Sequence, residues 1–221
     1  MERDEGVERP GPPAIKPAHA VAALLAQGAL FTAAGFGLWR LSGRPGEDFI
    51  SFSWSEVALG LSFAGVLIAI AAACFRAFPK ISEHLVCLQS DTYRFLGPNL
   101  GWPAIILISL TAGISEEAAL RAGLQTLVGD YAGPWGAIAI SSAAFAALHL
   151  AKPIITALLF VIGVLFGVAY HESGSLLAVM IAHVLYDVWA LRYLNREMHR
   201  LGLFDRPADQ PAPLANAIDP V

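Results

Sequence analysis

The chain has 221 residues, of which 56% are hydrophobic and 14% charged, and its mean hydropathy is +0.59. That is too apolar for an ordinary soluble domain and points to an all-α, polytopic membrane helix bundle. The formal net charge of -4 sits mostly in tails and loops and gives no case for nucleic acid, while two cysteines, Cys74 and Cys87, supply neither a disulfide framework nor a metal-ligand spacing.

Taken in order, residues 1–17 mix four acidic side chains with four prolines and predict a disordered tail. Their acidic start and the long apolar run that follows differ from a secretory signal peptide. Residues 18–41 and 54–78 are each long enough to span a bilayer. Residues 79–96 interleave Ile81, Leu85, Leu88, Tyr93 and Phe95 with Lys80, Glu83, Asp91 and Arg94, the pattern of an interfacial helix or elbow. A third span covers 102–128. Gly133-Pro134 starts a fourth that ends near Leu150, and Lys152-Pro153 precedes a fifth at 154–170. In that fifth span Gly163 and Gly167 are four apart, as in a helix-packing face. A sixth span covers 175–194.

About six spans place both termini on one side of the membrane. That side carries eleven of the Lys and Arg residues, against Arg40 and Arg44 opposite, which predicts cytoplasmic termini in a multi-pass cell-membrane protein. The expected organisation is a tail at 1–17, two spans and an elbow at 18–99, a core at 100–194 and a flexible tail at 195–221.

The core holds the polar residues. Thr111 to Gln125, T-A-G-I-S-E-E-A-A-L-R-A-G-L-Q, sets three charges in an apolar run, and charge at membrane depth marks function by default. On a helix Glu117 and Arg121 are four apart and suit an ion pair. Glu116 is turned about 100° away onto a face with Gly113, Leu120 and Gly123, without that partner. The fourth span carries Phe145 and His149 at the same spacing, and the sixth carries His183 and Asp187.

Each residue also has a purely structural role open to it. Glu117 with Arg121 can be a tolerated buried pair, Phe145 packing, His149 a hydrogen-bonded core histidine, and Asp187 a group that orients His183. Together with an unpaired Glu116 they allow water activation. A desolvated carboxylate serves as base, an imidazole returns the proton, and polar groups on another helix bind an oxyanion. Zinc is the main rival, since two histidines and two carboxylates form an acceptable shell, but no H-E-x-x-H occurs. Ser115, Ser141 and Ser142 have no base adjacent in sequence. A proton-coupled transporter and a non-catalytic scaffold or immunity protein compete with hydrolysis as the function, although no inverted repeat is visible.

The motifs E-E-A-A-L-R, F-A-A-L-H and H-V-L-Y-D, in this order on successive spans, resemble the CPBP family of intramembrane proteases (CAAX protease and bacteriocin-processing, or Abi), including the type II CAAX prenyl endopeptidases. The family patterns are E-E-x-x-x-R, F-x-x-x-H and H-x-x-x-N or D. The resemblance covers about residues 100–191. It implies an intramembrane glutamic endopeptidase acting on a membrane protein or peptide, with or without a lipid. By the same resemblance, Glu116 and His149 activate water, His183 and Asp187 line the oxyanion side, and Glu117, Arg121 and Phe145 support them. No cofactor is expected, with zinc as the rival. Asp187 stands where the eukaryotic-type members have asparagine.

Overall fold

The computed structural model describes residues 17–205. The tail expected before Pro17, and the part of the C-terminal tail after Asp205, lie outside the described residues. Within them the chain forms helices α1 (Pro17–Leu41), α2 (Trp54–Ala77), α3 (Pro79–Tyr93), α4 (Trp102–Glu117), α5 (Thr126–Leu148), α6 (Pro153–Ser173) and α7 (Leu176–Arg200). A π-helical stretch, Ala118–Gln125, joins α4 to α5 without a break. There is no strand among the described residues.

Local chemistry fixes the boundaries. Ser53 and Ser175 cap α2 and α7, their hydroxyls accepting from the Glu56 and Ala178 amides at 3.2 and 3.1 Å. Proline occupies the first turn of α3, α4 and α6, where its missing N–H costs nothing. Gly174, at φ 63°, ends α6 in the left-handed conformation that glycine adopts without strain.

Five helical stretches are long and apolar enough to cross a membrane. The third, Trp102–Leu148, has 47 residues, about 70 Å if straight, more than twice the apolar thickness of a bilayer. It is not straight. Gly133, at φ 68° and ψ 173°, breaks it, and the chain returns along itself in an antiparallel hairpin. Gln125 and Ser141, each eight residues from Gly133, hydrogen-bond at 3.2 Å. Arg121 and Phe145, each twelve residues away, meet with the guanidinium 5.5 Å from the ring centre. The stretch thus supplies two of the six arms expected from the hydropathy pattern.

Small residues let the arms close on one another. A Cβ on Gly113 would lie 2.8 Å from the Val184 amide of α7, one on Gly163 would lie 3.0 Å from Ser142, and one on Gly35 would overlap the Ala118 carbonyl. The Gly163 approach is the packing face expected for the fifth span. The main core gathers Trp39, Ala64, Leu67, Ala118, Phe166, Val179 and Ala182 from α1, α2, the π stretch, α6 and α7.

Helix α3 lies across one end of the bundle. It is tied to α7 by Ser82 with Tyr193 at 2.7 Å and by Glu83 with Arg200 at 2.6 Å. An ion pair between Asp91 and Lys152 at 3.5 Å ties it to the α5–α6 turn. The flexible tail expected from Asn195 departs from the structure over its first residues, where α7 continues to Arg200. The reason is α3: Met198 and Leu203 are buried against Val86 and Cys87, and Arg200 pairs with Glu83.

Candidate active site

The hairpin brings the first two motifs together. Glu116 lies seventeen residues before Gly133 and His149 sixteen after it, so folding back at Gly133 sets them at one depth. The π stretch begins immediately after Glu117, and such widened turns recur at functional sites. Its sequence A-A-L-R-A-G-L-Q is small on the side that meets α1. The Thr126 hydroxyl donates to the Arg121 carbonyl at 3.1 Å at its far end.

Glu117 is fully buried and holds two partners. Its Oε2 lies 3.2 Å from Arg121 Nε, the ion pair expected from sequence. Its Oε1 lies 2.8 Å from His183 Nδ1, a contact that sequence spacing cannot reveal because the two residues are 66 positions apart. The Arg121 guanidinium is also fully buried, and its nitrogens make no aligned hydrogen bond among the described residues. Glu117 balances its charge, and the Phe145 face takes up the cation.

His183 stands between two carboxylates, since its Nε2 lies 3.6 Å from Asp187 Oδ2 on the next turn of α7. Phe166 packs on its ring at 5.2 Å. His149 closes α5, and its Nδ1 lies 2.8 Å from the Phe145 carbonyl oxygen. A carbonyl only accepts, so Nδ1 carries a proton, and it is Nε2 that presents the lone pair of the neutral ring. Phe145 is buried, with its ring centre 4.7 Å from that of His149 and 6.1 Å from that of His183. It is packing, as a phenylalanine on an apolar helix usually is, but what it packs is both imidazoles and Arg121.

Glu116 lies within electrostatic reach of His183, His149, Asp187 and Glu117. One of its oxygens, Oε2, is buried without a hydrogen-bond partner. All seven candidate residues therefore fall in one neighbourhood. Two residues not selected from the sequence stand near it: Phe166, which packs on His183, and Tyr93 at the end of α3, within electrostatic reach of Asp187 and Glu116. Burial raises the Tyr93 phenol above its ordinary range, and the Asp187 and Glu116 carboxylates add to the effect. Nothing in the pattern of either segment signals this, because α3 reaches the site only through its docking on α7.

Among the described residues no three His, Cys, Asp or Glu side chains converge as a metal-binding group. The donor set is also partly committed, with His183 Nδ1 on Glu117, His149 Nδ1 on the Phe145 carbonyl, and Glu117 on Arg121.

Fold and site together define a multi-pass membrane helix bundle with a buried carboxylate and histidine cluster drawn from separate helical arms. Residues 98–189 match the family model described as Type II CAAX prenyl endopeptidase Rce1-like. That segment is similar to an Rce1-like domain, and the similarity is to membrane hydrolases of the CAAX protease kind. The matched segment contains Glu116, Glu117, Arg121, Phe145, His149, His183 and Asp187, and it leaves out α1, α2 and α3. Comparison of the chain with curated proteins and with solved structures finds no match.

Proposed function

We propose that the chain is a glutamic intramembrane endopeptidase that hydrolyses a peptide bond of a membrane-associated protein or peptide, in a cell membrane with both termini cytoplasmic. The observation that carries this reading is the buried, unpartnered Oε2 of half-buried Glu116, within electrostatic reach of His149. Glu116 takes a proton from water as the water oxygen attacks the scissile carbonyl carbon. The tetrahedral intermediate collapses, the C–N bond breaks, and the proton reaches the leaving amine through Nε2 of His149.

The oxyanion falls to His183. With Glu117 at Nδ1 and Asp187 near Nε2, a doubly protonated ring meets a carboxylate on each side, and its Nε2–H is the donor available to a developing negative charge. Asp187 then acts as the group that holds this cation, and the aspartate in place of asparagine has a use. Arg121 and Phe145 keep Glu117 and the two imidazoles in position.

The test is cleavage of a membrane peptide by purified chain in liposomes. Glu116→Gln should lower turnover by roughly 10²-fold or more with little change in thermal unfolding, and wild-type turnover in that variant would overturn the base assignment. Chelators should leave activity intact. Stoichiometric zinc whose removal abolishes activity, and whose return restores it, would replace this mechanism with a metal-assisted one. Ion flux in the same liposomes without any cleavage would favour a transporter.

A further inference from the structure

At the end of the bundle opposite His149, a cavity of about 430 Å³ opens between the ends of α1 and α6 and the hairpin turn at Gly133. Trp39, Arg44, Thr126, Asp130, Tyr170 and His171 line it. None belongs to the cluster around Glu116. Two features define what it can hold. First, exposed aromatic side chains ring the same end: Phe52 is 70% exposed, Trp54 78%, Tyr131 85% and Trp135 67%. Such a belt sits at the headgroup level of a bilayer, so the cavity faces lipid headgroups.

Second, one wall carries two opposite charges side by side. Arg44 and Asp130 form a two-point pair at 2.9 and 3.0 Å, yet their side chains are 37% and 38% exposed. The pairing leaves Arg44 Nε and further carboxylate lone pairs to a ligand. The hydroxyl oxygens of Thr126 and Tyr170, 3.3 Å apart, add neutral acceptors, their protons being used on the Arg121 carbonyl and on each other. A wall of this kind complements a short zwitterion, with its anion toward Arg44 and its ammonium toward Asp130.

We propose that this cavity is a headgroup site for an aminophospholipid, a phosphodiester with a primary ammonium two carbons away. Phosphocholine has no N–H to donate to Asp130, and phosphoglycerol has no cation, so the site discriminates against both. The Thr126 hydroxyl that borders the cavity also holds the Arg121 carbonyl. A bound headgroup therefore braces the far end of the π stretch and stabilises the fold. This proposal does not depend on the proteolytic reading, and neither does its test.

Lipid-stripped full-length chain in detergent would be titrated with short-chain phosphatidylethanolamine, phosphatidylcholine, phosphatidylglycerol and soluble phosphoethanolamine. Binding is read by native mass spectrometry and by thermal unfolding. Phosphatidylethanolamine should bind roughly tenfold tighter than the other two lipids, the worth of one charge-assisted hydrogen bond, and should raise the unfolding temperature. Asp130→Asn should reduce that preference to near one, and Arg44→Gln should weaken all three lipids. Equal binding of the three by the wild type would overturn the proposal, and that outcome stands even if a variant fails to fold. A preference unchanged in Asp130→Asn would overturn it too. A response to soluble phosphoethanolamine without one to its lipid would overturn the assignment to a membrane lipid.

Discussion

Glu117 lies under the whole site, because it is the counter-charge of Arg121 and the carboxylate of His183 at once. Removing one member of a buried ion pair leaves an uncompensated charge, at a cost of about 3 to 5 kcal/mol in soluble proteins. The two partners should not respond equally. Arg121→Gln leaves Glu117 with His183, whereas Glu117→Gln leaves Arg121 with only the Phe145 face. Glu117→Gln should therefore destabilise more than Arg121→Gln, and the double variant should recover much of the loss. Thermal unfolding of the set in detergent measures this, and a double variant as unstable as the sum of the singles would show that the two are not coupled.

At the level of elements, the π stretch owes its position to α1. A methyl on Gly35 would overlap the Ala118 carbonyl, while one on Gly37, two residues on, would meet nothing. Gly35→Ala should lower stability by about 1 to 3 kcal/mol through overpacking and reduce turnover with it, and Gly37→Ala should be close to neutral. A Gly35→Ala variant as stable and active as wild type would show that α1 can shift without disturbing Glu117. The hairpin has its own test. At φ 68° and ψ 173° Gly133 occupies a region essentially open to glycine alone, so Gly133→Ala and Gly133→Asn should each cost about 1 to 3 kcal/mol in thermal unfolding.

For the whole molecule, the folded-back third stretch makes the number of arms long enough to cross even, which brings the start of α1 and the end of α7 to one side of the bundle. In the proposed orientation the excess of Lys and Arg makes that side the cytoplasmic one. In a chain without Cys74, an impermeant thiol reagent applied to intact cells should label a Glu47→Cys variant and spare an Asp205→Cys variant. The opposite pattern would invert the orientation and place Lys152 and α3 on the outer face.

The sequence by itself determined the membrane class, the turn at Gly133-Pro134, the ion pair of Glu117 with Arg121, and the pairing of Phe145 with His149 and of His183 with Asp187. All of these are local: helix spacing and apolar length dictate them within one arm. Even the common depth of Glu116 and His149 follows from two arms of nearly equal length about one turn. The bond from Glu117 to His183, the π-helical winding of Ala118–Gln125, the arrival of Tyr93 and Phe166, and the continuation of α7 past Leu194 were decided only by tertiary structure. Each depends on which helix packs beside which. Apolar helices in lipid gain little from one partner over another until small residues such as Gly35 and Gly113 allow a close approach, so that choice is written in the fit of surfaces distant in sequence.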